Sequence, residues 1–149
     1  MIAIRPYFET DWEAVCQVHD RAQPGEFAGV CVPRDLIPLA ENPYLNKIFH
    51  PCQKFVACEG DKVVGFVAFY ENHISLLYVD PDYQNLGVGK RLLRQALNII
   101  GSPAWTVVIA DNHRARRFYA QEGFQENSHF ESPVSGSICQ FIRLIRSNI

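Results

Sequence analysis

Gln84-Asn85-Leu86-Gly87-Val88-Gly89 is the stretch on which the reading of this chain turns. A strand-like run, Ile74-Ser75-Leu76-Leu77-Tyr78-Val79, precedes it, followed by the turn Asp80-Pro81-Asp82. A helix-like run from Lys90 to Ile100 comes after it. A strand, a glycine-bearing loop and a helix start together make an anion site. The first N–H groups of a helix have no partner within it, and the helix dipole favours negative charge there. Glycine lets a ligand approach the backbone closely. The segment Gly87–Gly89 is therefore expected to grip a phosphate-bearing molecule.

Upstream, Ile2-Ala3-Ile4 is a short strand candidate stopped by Pro6. Thr10-Asp11-Trp12-Glu13 has the pattern of a capping box, so a helix should begin near Asp11 and end before Pro24-Gly25. Five prolines between Pro24 and Pro51 break residues 24–52 into loops and short helical pieces. Three strand candidates follow, Phe55–Glu59, Lys62–Tyr70 and His73–Val79, with Gly60-Asp61 and Glu71-Asn72 as hairpin-length turns. Downstream, Val88, Leu92, Leu93, Ala96, Leu97 and Ile100 form a helical stripe. Trp105–Ile109 is a buried strand candidate, and Asn112 caps a helix that runs through Glu122 to Gly123. Phe124–Glu131 and Ile138–Ile145 read as a final strand pair. Two strands joined through a helix usually lie parallel by a right-handed crossover, so Ile74–Val79 and Trp105–Ile109 should be parallel neighbours.

With 149 residues, the chain is expected to form one domain, 1–149, with a sizeable core. A formal net charge of −2 argues against nucleic-acid and anionic-membrane binding. No apolar run reaches the roughly 20 residues of a membrane span, and Met1–Pro6 is not followed by the apolar core of a signal peptide. The five cysteines are scattered and read as reduced thiols of a cytoplasmic protein. Neither they nor the histidines show metal-ligand spacing, so no metal is expected. A dinucleotide fingerprint would need a third glycine where Leu92 stands, and the lysine-bearing mononucleotide loop is missing as well.

Gln84-x-x-Gly87-x-Gly89 after a strand and Pro81, with Asn112-x-x-Ala115-x-x-Phe118-Tyr119-x-x-x-Gly123-Phe124 downstream, resembles the GNAT superfamily of acetyl-CoA-dependent N-acetyltransferases. The specific motifs cover roughly residues 54–130, and the order of elements extends the likeness to the whole chain. The resemblance implies an α/β (α+β) fold: a single-domain mixed, mostly antiparallel sheet with one splayed parallel strand pair, flanked by helices. It implies acetyl-CoA as co-substrate, with backbone from Leu77, Tyr78 and Val79 along the pantetheine arm. The loop Gln84, Asn85, Leu86, Gly87, Val88, Gly89 and Lys90 would lie at the pyrophosphate. Asn112 would serve both as helix cap and as coenzyme contact.

By the same resemblance, Tyr119 lies near the thioester sulfur. A phenol with pKa near 10 stays protonated at neutral pH and can donate to a departing thiolate. Phe118 is expected to face the core. The acceptor amine must lose a proton before it attacks, and a lysine-like amine is free to only about one part in a few thousand at pH 7. His73 and Glu71, at the start of the strand beside the cleft, are the candidate bases. The resemblance fixes no base, and the facing of His73 depends on whether its strand contains a bulge. Residues 24–50 and His129–Gly136 should line the amine pocket, where Glu26, Asp35, Glu41 and Glu131 are available to hold a cation. The acceptor is expected to be a small-molecule or peptide amine, and a homodimer stays open. The rivals are a non-catalytic acyl-CoA sensor on the same fold and a different nucleotide-dependent transferase.

Overall fold

The computed structural model describes residues 1–27 and 36–147. Seven strands form one sheet: β1 (Ile2–Pro6), β2 (Gln53–Glu59), β3 (Lys62–Tyr70), β4 (His73–Val79), β5 (Ala104–Ile109), β6 (Gln125–Val134) and β7 (Ser137–Arg146). Their spatial order is β1-β2-β3-β4-β5-β7-β6. Every neighbouring pair is antiparallel except β4 and β5, which are parallel. Among the described residues four α-helices accompany the sheet: α1 (Trp12–Glu26), α2 (Pro43–Phe49), α3 (Val88–Ile100) and α4 (His113–Gln121).

β3 explains how the layers are held. Its side chains are buried on both faces from Val63 to Phe69, as expected for a central strand covered on both sides. Val64, Val67 and Phe69 join the cluster containing Leu92, Leu93 and Ala96 of α3, together with Tyr119 and Phe124. Phe66 and Ala68 point the other way, into a cluster with Val15 and Val18 of α1 and Phe49 of α2. The two cores therefore lie on opposite faces, α1 and α2 on one and α3 on the other. The apolar stripe read from Val88 to Leu97 is buried as that pattern requires.

Three local expectations are corrected. The Thr10–Glu13 capping box does not form. Asp11 accepts from the Phe8 N–H at 2.8 Å and takes both guanidinium N–H groups of Arg5 at 2.8 Å. That pairing holds the Asp11 carboxyl below the usual carboxylate range. Next, α1 does not end before Pro24 but continues through it to Glu26. Proline breaks a helix by removing a hydrogen bond and crowding the preceding turn, but here only two helical residues follow it. Finally, the last hairpin is tighter than expected. Pro133 remains in β6, paired with Ile138, and Ser135 and Gly136 turn the chain with positive φ. β6 is an edge strand, where proline's missing donor faces no partner.

Among the described residues Cys16, Cys52 and Cys58 are buried free thiols. Cys139 is disulfide-bonded, which departs from the expectation that every cysteine is reduced. Sequence spacing says nothing about which thiols meet in space. No described helix is long and apolar enough to cross a membrane.

Candidate active site

The β4–β5 ladder is confined to the start of the two strands. His73 is the residue in register with Trp105, and the Trp105 N–H donates to the Asn72 carbonyl at 3.0 Å. One residue further on, the Thr106 hydroxyl donates to the Ile74 carbonyl at 2.9 Å. A side chain there satisfies a carbonyl that a ladder N–H would otherwise take, so the main chains can part without orphaning it. β4 also carries a bulge: Ala68 of β3 faces Leu76 and Phe69 faces Ile74, which leaves Ser75 as the extra residue. Beyond this point the strands diverge around a cavity of about 460 Å³, lined by Ile74–Val79 and by Thr106–Ile109. That size suits a small-molecule site.

The glycine-bearing loop closes one end of the cavity. Asn85 has φ 65°, and Gly87 has φ 82° and ψ 5° as the residue capping α3. Asparagine and glycine are the residues that tolerate this left-handed region. The turn ahead of them is fixed by Asp80, whose carboxylate accepts from the Asp82 N–H at 2.9 Å and pairs with Arg21 of α1 at 2.7 Å. Gln84 reaches back to donate to the Val79 carbonyl at 3.0 Å and accepts from Arg114 of α4.

α1 and α4 complete the cavity wall. Because α1 runs through Pro24, Ala22, Gly25 and Glu26 all reach the cavity wall. The Tyr78 hydroxyl, from β4, donates to Glu26 Oε1 at 2.8 Å. Burial raises the Glu26 carboxyl to about 7, opposed by that hydrogen bond. Burial likewise lifts both the Tyr78 and the Tyr119 phenols above their ordinary range, with the Glu26 charge adding to each. Tyr119 is buried, edge-on to Phe118 at 5.0 Å and to Phe124 at 5.1 Å. Two phenols that stay protonated and one carboxyl that titrates near neutrality thus share one cavity.

Most of the residues singled out from sequence converge here. Leu77, Tyr78, Val79, Gln84, Asn85, Gly87, Val88, Gly89, Lys90, Asn112 and Tyr119 line the cavity. Leu86 does not; its side chain is exposed. Asn112 caps α4 by accepting from the Ala115 N–H at 3.1 Å, which leaves its amide N–H₂ for a ligand. Phe118, expected in the core, packs against the core's edge and also lines the cavity beside Gly89.

The structure does not bring Glu71 or His73 to this cavity. Glu71 is exposed in the two-residue turn between β3 and β4. His73 lies at the closed end, stacked on Trp105 at 3.8 Å and 3.2 Å from the Ser75 hydroxyl. Burial, and then Arg143, hold its imidazole below the ordinary value. The segment His129–Gly136 is likewise away from the cavity lining. Glu41 and Glu131 are exposed, and Asp35 lies outside the described residues. Among the described residues no cluster of His, Cys, Asp and Glu could hold a metal ion.

Of the three basic residues in the first two turns of α3, two are engaged away from the cavity. Arg91 donates to the Ile2 carbonyl at 2.5 Å and Arg94 pairs with Glu122 at 3.0 Å. Lys90 remains at the cavity, joined there by Arg114 and Arg117 of α4. Their spacing in helix α4 could have pointed to them, since residues three apart share a helix face.

Residues 50–126 match the profile of the acetyltransferase (GNAT) domain, the stretch that holds the loop, the splayed strands and α4. The chain belongs to the GNAT acetyltransferase family. It is 30% identical over 127 residues to an N-acetyltransferase of Escherichia coli named YafP and described as uncharacterized, covering 83% of this chain and 81% of that protein. It is 31% identical over 86 residues to the peptidyl-lysine N-acetyltransferase YjaB of Salmonella typhimurium. That match covers 57% of this chain and only 58% of the relative's length. A GCN5-related N-acetyltransferase structure from Rhodopseudomonas palustris superposes with a TM-score of 0.81, at 18% identity, over 98% of this chain and 95% of that one. At such low identity that likeness speaks for the GNAT fold, here a mostly antiparallel sheet with one parallel pair.

Proposed function

We propose that this GNAT-family chain is an N-acetyltransferase that moves the acetyl group of acetyl-CoA to a primary amine by direct attack. The observation that carries this reading is the cavity itself. It runs between the diverging β4 and β5 strands, from the free N–H groups at the start of α3 to the buried Tyr119 hydroxyl. The chemistry of the lining suits coenzyme A: main-chain donors from Asn85 to Lys90 for the pyrophosphate, and Lys90, Arg114 and Arg117 as nearby cations. Leu77, Tyr78 and Val79 offer an extended edge to the pantetheine amides. Asn112 contributes its amide donors.

In the transfer, the amine nitrogen attacks the thioester carbonyl carbon and the carbon–sulfur bond breaks. The sulfur leaves with the electron pair, and Tyr119 donates a proton to it. The phenol is fully protonated at neutral pH and so has a proton to give, and its burial, which raises it, makes it a weaker acid than a solvated tyrosine. The acceptor class is a small-molecule or peptide amine. The name of the Salmonella relative makes a lysine side chain in a peptide the first acceptor to try. A cytoplasmic location would fit this use of acetyl-CoA.

The test is thiol release from acetyl-CoA against a panel holding an N-blocked lysine peptide, a peptide with a free N-terminus and small diamines. Release above the amine-free rate with at least one acceptor is expected. Tight acetyl-CoA binding by calorimetry without release for any amine would make the chain a sensor instead.

A further inference from the structure

Glu26 has a place in the cavity that coenzyme binding does not require. It sits on α1 at the cavity wall, and among the described residues its one hydrogen bond is at Oε1, from Tyr78. Among the described residues no lysine, arginine or histidine pairs with it. Glu26 is half-buried, and a carboxylate drawn from water with no cation beside it is costly unless it can take a proton. The cations sharing the cavity are Lys90, Arg114 and Arg117, and they belong with the phosphates. The other titratable groups there are the phenols Tyr78, Tyr83 and Tyr119. His19, also on α1, is wholly buried and meets the Tyr78 ring edge-on at 4.8 Å, with Nδ1 on Asp20. Among the described residues no other carboxylate lines the cavity.

We propose that Glu26, oriented by the Tyr78 hydroxyl, is the general base of the transfer and receives the acceptor as a primary ammonium ion. This rests on the acetyltransferase reading. The ammonium supplies the cation that Glu26 lacks, and Glu26 Oε2 takes one N–H proton as the nitrogen lone pair becomes available. The lone pair forms the carbon–nitrogen bond, the carbon–sulfur bond breaks, and the sulfur receives the Tyr119 proton. The amide nitrogen then loses its second proton, which restores Tyr119 through solvent. Glu26 releases its proton to solvent, so one ammonium and one thioester give one amide, one thiol and one proton. The carboxyl titrates at about 7. It is therefore ionised in roughly half the molecules or more at neutral pH while remaining a far better base than a solvated carboxylate.

The test uses the full chain, wild type and Glu26→Gln, which keeps an oxygen for Tyr78 to donate to. In the first arm, a protein labelled at the glutamate carboxyl carbon is titrated by NMR, with Glu26→Gln identifying the resonance. A midpoint near 7 is expected, and it should rise further in Tyr78→Phe, which removes the hydrogen bond favouring the anion. In the second arm, thiol release is measured with an N-blocked lysine peptide and a free N-terminal tripeptide, beside calorimetry with acetyl-CoA. Glu26→Gln should bind acetyl-CoA as the wild type does and lose about 10²–10⁴-fold in turnover at neutral pH. That deficit should shrink toward about pH 9, sooner for the tripeptide, whose amine is free at lower pH.

A Glu26 midpoint in the ordinary carboxylate range overturns the proposal. Wild-type turnover in Glu26→Gln at neutral pH overturns it too, yet leaves the acetyltransferase reading standing. If the wild-type chain binds acetyl-CoA and releases thiol with neither peptide nor any small amine, the reading itself fails and the base falls with it.

Discussion

On the side of the cleft proposed for the coenzyme, the donors from Asn85 to Lys90 come from consecutive residues of one loop and one helix start. On the side proposed for the acceptor, Glu26 and Tyr78 meet across 52 residues of sequence. The first arrangement depends on local backbone geometry, which glycine and asparagine write directly into the sequence. The second depends on how far α1 runs and where it docks on β4. One kind of site can be transferred between chains as a motif; the other must be rebuilt by packing. Among the described residues the cavity lining sets Lys90, Arg114 and Arg117 against one carboxylate, Glu26.

The sharpest way to break the coenzyme side alone is Gly89→Asp. A carboxylate there would face the pyrophosphate, and two like charges about 4 Å apart repel by about 4 kcal/mol at an effective dielectric constant of 20. Acetyl-CoA affinity should fall at least about 100-fold while the fold survives. A Cβ at this position meets Phe118 and Val79 only at ordinary contact distances of 3.5 and 3.6 Å. Calorimetry on the folded variant decides it: unchanged affinity would remove the anion site from this loop.

The acceptor side should answer differently to Glu26→Gln, by becoming more stable. Burial raises the Glu26 carboxyl from 4.5 to about 7, so the folded chain binds that proton more tightly than the unfolded one. Its contribution is fully present below about 4.5 and is lost as pH rises through about 7. The shift corresponds to about 3 kcal/mol at most. Glu26→Gln should thus gain roughly 1–3 kcal/mol over the wild type near pH 8 and nothing near pH 4, by urea unfolding at both. Equal stability at both pH values would mean that Glu26 is well hydrated and that the acceptor side holds no poised carboxyl.

Legibility followed the same line. The loop, the two glycines, the α3 stripe and the Asn112 cap were readable because each depends on neighbours within a few residues. The parallel pairing of β4 with β5 followed from the crossover rule. Glu26 is readable only as one acid among four, because Pro24 reads in the sequence as the end of α1. Whether a proline ends a helix depends on what the next turn packs against, here the cavity wall. His73 failed to reach the cavity for a related reason. The point at which β4 and β5 part is set by the Thr106 hydroxyl on Ile74 and the bulge at Ser75. Nothing in a strand's own alternation marks that point.

Tyr119→Phe tests the place where the two sides meet. The ring stays against Phe118 and Phe124, so stability and acetyl-CoA affinity should change little. A positioned acid contributes about 10²–10⁴-fold; a thiolate is already a fair leaving group, so a loss of about 10-fold or somewhat more is expected. Turnover with the best acceptor, measured beside coenzyme affinity, gives the answer. Unchanged turnover would make Tyr119 a packing ring and leave water to protonate the sulfur.

The smallest effects separate the two glycines of the loop, and they should have opposite signs. Gly87 is in the left-handed region at φ 82°, with nothing within 4 Å of the place where a Cβ would stand. Gly87→Ala therefore adds backbone strain without a clash, and the loop should lose about 1 kcal/mol. Gly89 lies inside the first turn of α3, and a Cβ there touches Phe118 and Val79 without crowding them. Gly89→Ala restricts the unfolded chain and favours the helix, so it should gain about 0.5 kcal/mol. Urea unfolding of the two variants reads both signs. If Gly89→Ala gains stability but weakens acetyl-CoA binding, Gly89 is kept for close approach of the ligand. If it gains stability and binds as before, Gly87 alone carries the requirement for glycine, and the anion site is a matter of loop conformation rather than of clearance.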